Sequence, residues 1–342
     1  MEKVRLGRTN LKVSRVGIGG IPIQRPSEKE AIEVIRHALD NEINIIDTSI
    51  GYGESEIRIG KAIAGRRDEV ILITRTGFCD KKIFNERLAK SMKQLQTDYI
   101  DIYEFHNIST AERYDAIMAE GGAIEAMLEA REQGKIGFTG FTSHCMETML
   151  KAVKSEMFDV ILFPFNFVNN ESEQELVPLT KKLDIGFTAM KPFAGGRLKD
   201  ANLVMKYLLQ FDNVVPVPGV EKKEEIDQIL EVVNGSRELT EQDGTKIADI
   251  RKELGKPFCQ WCGYCQPDCP EEISIPLLIN AEQMWTLWPE EEMIDWYGEV
   301  IENAHNCSEC GSCEEACPYH LPIRDMLKAG REFVDARLLS KT

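Results

Sequence analysis

The chain carries its most distinctive chemistry near the C-terminal end, where a run of four cysteines occurs twice. Both runs have the spacing C-x2-C-x2-C-x3-C-P, and together they use eight of the ten cysteines. This spacing is typical of [4Fe–4S] ligands, in which one run supplies three thiolates to a cluster and the other run supplies the fourth. The spacing therefore predicts two clusters, one on Cys259, Cys262, Cys265 and Cys317, the other on Cys307, Cys310, Cys313 and Cys269.

Zinc and disulfide bonds are the alternative uses of closely spaced cysteines. A zinc site usually takes two separated pairs of Cys or His, which a four-cysteine run closed by proline does not supply. Disulfides are typical of secreted chains, and no charged-then-apolar leader begins this sequence. We therefore expect reduced thiolates in a cytoplasmic protein, because oxidation would remove the cluster ligands.

Composition changes near residue 255 and predicts two domains, residues 1–255 and 256–342. From Lys256 onward there are 16 Asp and Glu against six Lys and Arg, and all four tryptophans lie there. That balance of −10 leaves −6 of the net charge of −16 for the rest of the chain. An acidic surface and the lack of a long apolar run predict no nucleic-acid and no membrane partner.

The first 235 residues or so alternate short apolar stretches with segments of helical periodicity. Eight of each are typical of a (β/α)8 TIM barrel. An open doubly wound sheet is the alternative, but it usually carries a G-x-G-x-x-G turn, which Gly17-Ile18-Gly19-Gly20 does not complete. The predicted strands are Arg15–Gly19, Ile43–Thr48, Val70–Thr74, Tyr99–Phe105, Ile136–Phe141, Val160–Phe165, Gly186–Met190 and Val214–Val217.

Polar side chains follow the apolar part of several predicted strands. Asp47 lies at the end of the second strand and Tyr52 follows it, Arg75 directly follows the third, and His106 directly follows the fourth. Because catalytic groups of such barrels gather at the carboxyl ends of the strands, we expect these four side chains to converge.

At this point the chain resembles the aldo/keto reductase family, over about residues 1–235. The whole chain resembles the branch of that family with a C-terminal ferredoxin-like domain. The stretches that carry the likeness are Leu6-Gly7-Arg8-Thr9, Asp47-Thr48, Tyr52-Gly53-Glu54-Ser55-Glu56, Asp98-Tyr99-Ile100-Asp101-Ile102-Tyr103 with His106, Gly134-Lys135-Ile136, Lys191-Pro192 and Pro218-Gly219.

The resemblance implies a catalytic tetrad of Asp, Tyr, Lys and His. Asp47, Tyr52 and His106 match it, whereas the lysine position is Arg75. The implied reaction is hydride transfer from a nicotinamide to a carbonyl, with the tyrosine hydroxyl supplying the proton. Arg75 could pair with Asp47, and a cation beside Tyr52 is expected to favour the phenolate and so lower its pKa.

The resemblance also implies a nicotinamide site with altered contacts. The usual serine–asparagine pair is Thr142-Ser143, the usual glutamine is Leu162, and the stacking tyrosine is Met190. These changes leave NADP(H), NAD(H) and a flavin all open as cofactors. The candidate cofactor-binding residues are Thr142, Ser143, Met190, Lys191, Gly219 and Lys222, with Lys222 placed either to meet phosphate or to lie solvated in the first turn of a helix.

The segment between the cysteine runs has helical periodicity over Ile273–Met284 and Glu290–Ala304, which favours an α-helical ferredoxin-like domain. The combined hypothesis is an iron–sulfur oxidoreductase acting on a small carbonyl or alcohol. Its clusters would relay electrons to an external carrier such as ferredoxin. The alternatives are a plain NAD(P)H-dependent reductase with structural clusters, or an electron-transfer or interaction subunit on a vestigial barrel.

Overall fold

The computed structural model describes residues 1–254, 258–259, 265–267, 269–317 and 320–339. The chain divides into two compact units, Met1–Arg251 and Lys252–Thr342. The domain boundary after residue 255 stays a prediction. No helix in the described ranges is long and apolar enough to cross a membrane.

The first unit opens with an antiparallel hairpin of strands β1 (Lys3–Arg5) and β2 (Lys12–Ser14). Its connection contains Asn10, whose φ of 58° is left-handed, a conformation that asparagine tolerates better than most residues. Arg5 donates hydrogen bonds to both carboxylate oxygens of Asp184, which attaches the hairpin to the body of the unit.

Eight parallel strands follow and form a (β/α)8 barrel-like sheet in sequential order. The sheet closes because the amides of Gly17 and Gly19 donate to the carbonyls of Pro216 and Pro218, at 2.9 and 2.7 Å. The strands are β3 (Ile18–Gly19), β4 (Ile45–Asp47), β5 (Ile71–Thr76), β6 (Ile100–Phe105), β7 (Ile136–Thr142), β8 (Val160–Pro164), β9 (Gly186–Met190) and β10 (Val214–Pro216).

Helices connect these strands and turn apolar faces towards the sheet. In the first helix, Ser27 and Glu30 form a reciprocal capping box. Two helices, Ala111–Met118 and Glu241–Leu254, were not predicted; the first has only eight residues, of which Tyr114 and Ile117 are buried. The helices are α1 (Glu28–Asp40), α2 (Ser55–Ile63), α3 (Lys81–Leu95), α4 (Ala111–Met118), α5 (Ala123–Glu132), α6 (Met146–Lys154), α7 (Leu176–Lys182), α8 (Ala201–Leu208), α9 (Lys223–Asn234) and α10 (Glu241–Leu254).

The inside of the barrel is apolar at one level and charged at the next. Ile45, Ile73 and Ile102 belong to one buried apolar cluster on β4, β5 and β6. Side chains two residues apart on a strand point to the same side of the sheet. The inward positions that follow these isoleucines are Asp47, Arg75 and Glu104.

The second unit is helical in its described parts. The segment predicted as one helix over Ile273–Met284 is two helices, because the chain leaves the helical path at Asn280, whose side-chain amide donates to the Pro276 carbonyl at 2.7 Å. The last helix of this unit (Ile323–Leu339) packs closely on its first helix (Ile275–Ile279) at Gly330. A Cβ atom at Gly330 would lie 2.2 Å from the Leu278 carbonyl oxygen. The helices are α11 (Ile275–Ile279), α12 (Ala281–Leu287), α13 (Glu290–His305), α14 (Ser312–Glu315) and α15 (Ile323–Leu339).

Candidate active site and cysteine pocket

Arg75 is the centre of the charged level inside the barrel. Its side chain is 2% exposed, and its Nη2 contacts Asp47 Oδ2 at the end of the neighbouring strand β4. On the other side, Arg75 Nε lies 3.0 Å from Glu104 Oε2 on β6. One guanidinium therefore stands between two buried carboxylates, and its positive charge is shared between them.

Tyr52 reaches this cluster from the loop that follows β4. Its ring is 8% exposed, and its hydroxyl accepts from Arg75 Nη1 at 3.5 Å. Burial and the nearby charge of Glu104 raise the pKa of Tyr52 above its usual value. The expectation that the cation would lower this pKa is wrong in direction, because Arg75 is compensated by two carboxylates and burial dominates. Tyr52 is thus a protonated phenol that can donate.

His106 completes the predicted group and packs its ring edge-on to Tyr52, with centroids 5.6 Å apart. Burial, reinforced by the charges of Arg75 and Arg113, lowers the pKa of His106 to about 3, so the imidazole is neutral at physiological pH. Its Nδ1 lies 3.0 Å from Ser49 Oγ. When Ser49 donates to Nδ1, the ring proton is on Nε2, which can then donate to a carbonyl oxygen.

The structure therefore brings together Asp47, Tyr52, Arg75 and His106 at the carboxyl ends of three adjacent strands. Sequence reasoning did not select Glu104 or Ser49, which contact Arg75 and His106. The available signal for Glu104 was its position two residues after the inward-facing Ile102.

The two candidate nicotinamide contacts at the end of β7 already have protein partners. Ser143 Oγ donates to the Cys145 carbonyl at 3.1 Å and accepts from the Cys145 amide at 2.9 Å. Thr142 Oγ1 accepts from the Asn107 amide at 2.7 Å. A hydroxyl that accepts one hydrogen bond still has a proton to donate, so Thr142 could bond a carboxamide oxygen.

Leu162, at the position of the family's glutamine, is fully buried in the apolar cluster. Met190 ends β9 half-buried and packs against the same cluster, so it offers an apolar surface to a ring. Lys191, the next residue, has a φ of 55° and its carbonyl accepts from the Asn166 side-chain amide. The residues thus fit a nicotinamide by apolar contact and one hydroxyl.

Gly219 and Lys222 lie further along the same end of the sheet. Gly219 pairs with Gly19 and is tightly placed, since a Cβ atom there would lie 2.8 Å from Pro22 Cγ. Lys222 is exposed and precedes α9, where its amide donates to Glu225. The adjacent Lys223 is in an ion pair with Glu33 at 2.8 Å, so Lys222 is the better candidate for phosphate.

One pocket of the second unit is lined by four cysteines from both runs, namely Cys269, Cys307, Cys310 and Cys313. This is one of the two ligand sets that the spacing predicts. No three Cys, His, Asp or Glu side chains among the described residues stand close enough to share a single metal ion. A [4Fe–4S] cluster takes one thiolate on each of its four irons, so the four cysteines that line this pocket supply the donor set that such a cluster needs.

The other predicted ligand set is described only in part. Cys259, Cys265 and Cys317 are all buried, as expected of thiols that surround a cluster. Cys262 lies outside the described residues. Cys79 and Cys145, which belong to neither run, lie in the barrel unit.

Comparison with known proteins identifies both units. The sequence matches the aldo/keto reductase family over residues 15–203 and a 4Fe-4S dicluster domain over residues 258–321. The chain belongs to the aldo/keto reductase family. It is an oxidoreductase of that family with a 4Fe-4S dicluster domain.

Several bacterial proteins are similar to this chain. Aldo-keto reductase YhdN of Bacillus subtilis (strain 168) is 34% identical over 200 residues, 53% of this chain and 59% of that protein. The match thus spans less than two thirds of that relative. An uncharacterized oxidoreductase, YqkF, of the same organism is 30% identical over 217 residues, 59% of this chain and 68% of that protein.

Solved structures share the barrel fold. The holo form of an aldo-keto reductase from Bacillus halodurans superposes with a TM-score of 0.65 at 24% identity, covering 73% of this chain and 96% of that one. A Klebsiella pneumoniae aldo-keto reductase in complex with NADPH gives 0.63 at 21% identity, covering 73% and 95%.

Proposed function

We propose that the barrel reduces a small carbonyl compound, or oxidises the corresponding alcohol, with NADP(H) as the hydride carrier. The observation that carries this proposal is the buried Tyr52 hydroxyl beside Arg75, with the neutral His106 ring at its edge. A bound reduced nicotinamide supplies a hydride to the carbonyl carbon. The NADPH and NADP complexes of the Klebsiella reductases favour a nicotinamide over a flavin.

The chain's own residues then have distinct tasks. The Tyr52 hydroxyl donates a proton to the carbonyl oxygen as negative charge develops there. His106 Nε2 donates a hydrogen bond to the same oxygen and orients it. Asp47 holds Arg75, and Met190 with Thr142 contacts the nicotinamide.

We further propose that the two [4Fe–4S] clusters relay electrons between the barrel site and an external carrier. Reduction of a carbonyl to an alcohol takes up two electrons and two protons. NADPH supplies both electrons as a hydride, so the relay would act in place of NADPH, with two reduced clusters supplying one electron each. The support is that one chain contains both the carbonyl-reductase residues and the cysteine pocket. The second candidate is a plain NADP(H)-dependent reductase with structural clusters, which the nicotinamide complexes of structural relatives favour.

An anaerobic assay separates these functions. The protein with a full complement of iron is mixed with NADPH and a panel of small aldehydes, and NADPH consumption and the visible absorbance of the clusters are followed together. We expect NADPH consumption with at least one aldehyde. If the clusters relay electrons, dithionite-reduced clusters reoxidise when that aldehyde is added and stay reduced without it.

Two other outcomes are informative. NADPH consumption with clusters that never change their redox state indicates structural clusters and excludes the relay. No NADPH consumption with any aldehyde, in protein that is folded and iron-loaded, contradicts the reductase proposal and favours an electron-transfer subunit.

A further inference from the structure

Glu104 is a buried carboxyl group that the catalytic tetrad does not include. Burial raises its pKa to about 7, although Arg75 beside it favours the charged form. Its side chain is fully buried inside the barrel, 3.0 Å from Arg75 Nε. Within the described part of the chain, neither of its carboxylate oxygens has a hydrogen-bond partner. A buried carboxylate is costly unless a cation compensates it, so Glu104 depends on Arg75.

The barrel makes room for this carboxylate. Glu104 is paired in register with Arg75 on one side and with Gly140 on the other. A Cβ atom at Gly140 would lie 2.5 Å from Glu104 Cγ and 3.0 Å from its Oε1. A side chain at position 140 would therefore force the Glu104 side chain or its strand to shift.

The guanidinium of Arg75 is directed at three partners in three directions. Nη2 contacts Asp47, Nε faces Glu104, and Nη1 donates to the Tyr52 hydroxyl. The contact of Nε with Glu104 is an ion pair, because neither Nε nor the carboxylate oxygens have a hydrogen-bond partner among the described residues. Because the guanidinium is planar and rigid, holding Nη2 at Asp47 and Nε beside Glu104 determines where Nη1 points. A lysine ammonium is a point charge and would need no such second anchor.

We propose that Glu104 is a positioning residue, which acts through Arg75. Together with Asp47 it fixes the guanidinium plane so that Nη1 faces the Tyr52 hydroxyl, and the Glu104–Arg75 pair takes the place of the family's single lysine. This inference rests on the proposed carbonyl reduction.

The main test is Glu104→Gln, which keeps the shape of the side chain and removes its charge. We expect kcat for aldehyde reduction to fall by roughly 10- to 100-fold, because a small misplacement of a catalytic group has that effect. KM for NADPH should stay within about twofold, since the fully buried Glu104 contacts Arg75 rather than ligand. The basic limb of the pH profile should move to lower pH, because Arg75 without Glu104 favours the tyrosinate of Tyr52.

Two further variants separate positioning from loss of stability. In the Arg75→Lys background, Glu104→Gln should lower kcat much less than it does in wild type, because an ammonium needs no second anchor. Gly140→Ala should lower kcat in the same way as Glu104→Gln, whereas Gly244→Ala, at an open helical position, should not. Glu56→Gln is the matched control, because Glu56 is also buried but bonds Thr74 and does not contact Arg75.

A crystal structure of Glu104→Gln gives a result that does not depend on activity. We expect Arg75 to have turned away from the Tyr52 hydroxyl. If Arg75 keeps its place there, or if an active wild type and Glu104→Gln share kcat and pH profile, the positioning role is wrong. If wild type reduces no aldehyde, it is the reductase proposal that fails, and the crystal structure alone decides whether Glu104 orients Arg75.

Discussion

The two units place their reactive side chains on different kinds of backbone. In the barrel, Asp47, Arg75 and Glu104 lie on adjacent paired strands, so the sheet register determines their separation. In the second unit, Cys269, Cys307 and Cys310 lie outside regular elements, and only short helices are near them. A site on strands is assembled by folding itself, whereas ligands on loops gain their final positions from the group that they bind.

The largest expected effect is loss of a whole cluster. Cys313→Ser removes one of the four pocket thiolates, and we expect iron to fall from about eight to about four atoms per chain. The second unit should also lose stability, because ligand binding and folding are coupled there. Iron analysis and tryptophan fluorescence measure this, since all four tryptophans lie in that unit. Cys79→Ser is the control, and full iron in Cys313→Ser would refute the ligand assignment.

Tyr52→Phe should have the largest effect on the barrel. Removing the proton donor is expected to lower kcat about 10²- to 10⁴-fold, with iron content and NADPH binding unchanged. Steady-state kinetics under anaerobic conditions measure the loss. Tyr99→Phe, at an exposed position on the same unit, should behave as wild type. Wild-type turnover in Tyr52→Phe would show that another group supplies the proton.

Arg75→Met should destabilise the barrel by about 3–5 kcal/mol, because two buried carboxylates lose their cation. Arg66→Met is a matched control, since Arg66 also bridges two carboxylates, Asp40 and Glu69, but these are exposed. Arg66→Met should lower the free energy of unfolding by about 1 kcal/mol or less. Denaturant unfolding followed by circular dichroism compares them. If the two variants lose the same free energy of unfolding, burial does not determine how much the Arg75 ion pairs contribute to stability.

His106→Gln should change the response of stability to acid. The pKa of His106 is about 3 in the folded chain against an ordinary value near 6.5, so the unfolded chain binds the extra proton between these values. The contribution of neutral His106 is therefore complete above pH 6.5 and is lost as pH falls towards 3. Unfolding at several pH values should show a shallower acid decline in His106→Gln. An identical decline would indicate that His106 titrates normally.

The smallest effect is expected at Lys222. If Lys222 contacts the 2′-phosphate, which NADPH has and NADH lacks, Lys222→Ala should raise KM for NADPH by about fivefold or less, which is the size of an exposed ion pair. KM for NADH should stay unchanged. Lys223→Ala, whose lysine is already paired with Glu33, is the control. Equal effects of both variants on both cofactors would remove Lys222 from the binding site.

Sequence patterns predicted much of this arrangement for identifiable reasons. Asp47, Tyr52, Arg75 and His106 were selected because each follows or ends an apolar strand, and parallel strands bring their carboxyl ends together. Ser49 could not be selected, since its role depends on the loop conformation that brings its hydroxyl to His106. The break at Asn280 was missed because apolar periodicity continues across it in the sequence.

The sequence by itself determined the barrel and the cluster ligands, because these depend on local periodicity and on cysteine spacing, and its resemblance to a known family indicated the tetrad. Only the tertiary structure decided the electrostatics of the site. Arg75 looked like a cation that would acidify Tyr52, but the register of β5 and β6 brings Glu104 beside it and Gly140 leaves space for that carboxylate. The pKa of a phenol depends on the charges and the burial within a few ångströms of its hydroxyl, and the groups that supply them come from distant parts of the chain.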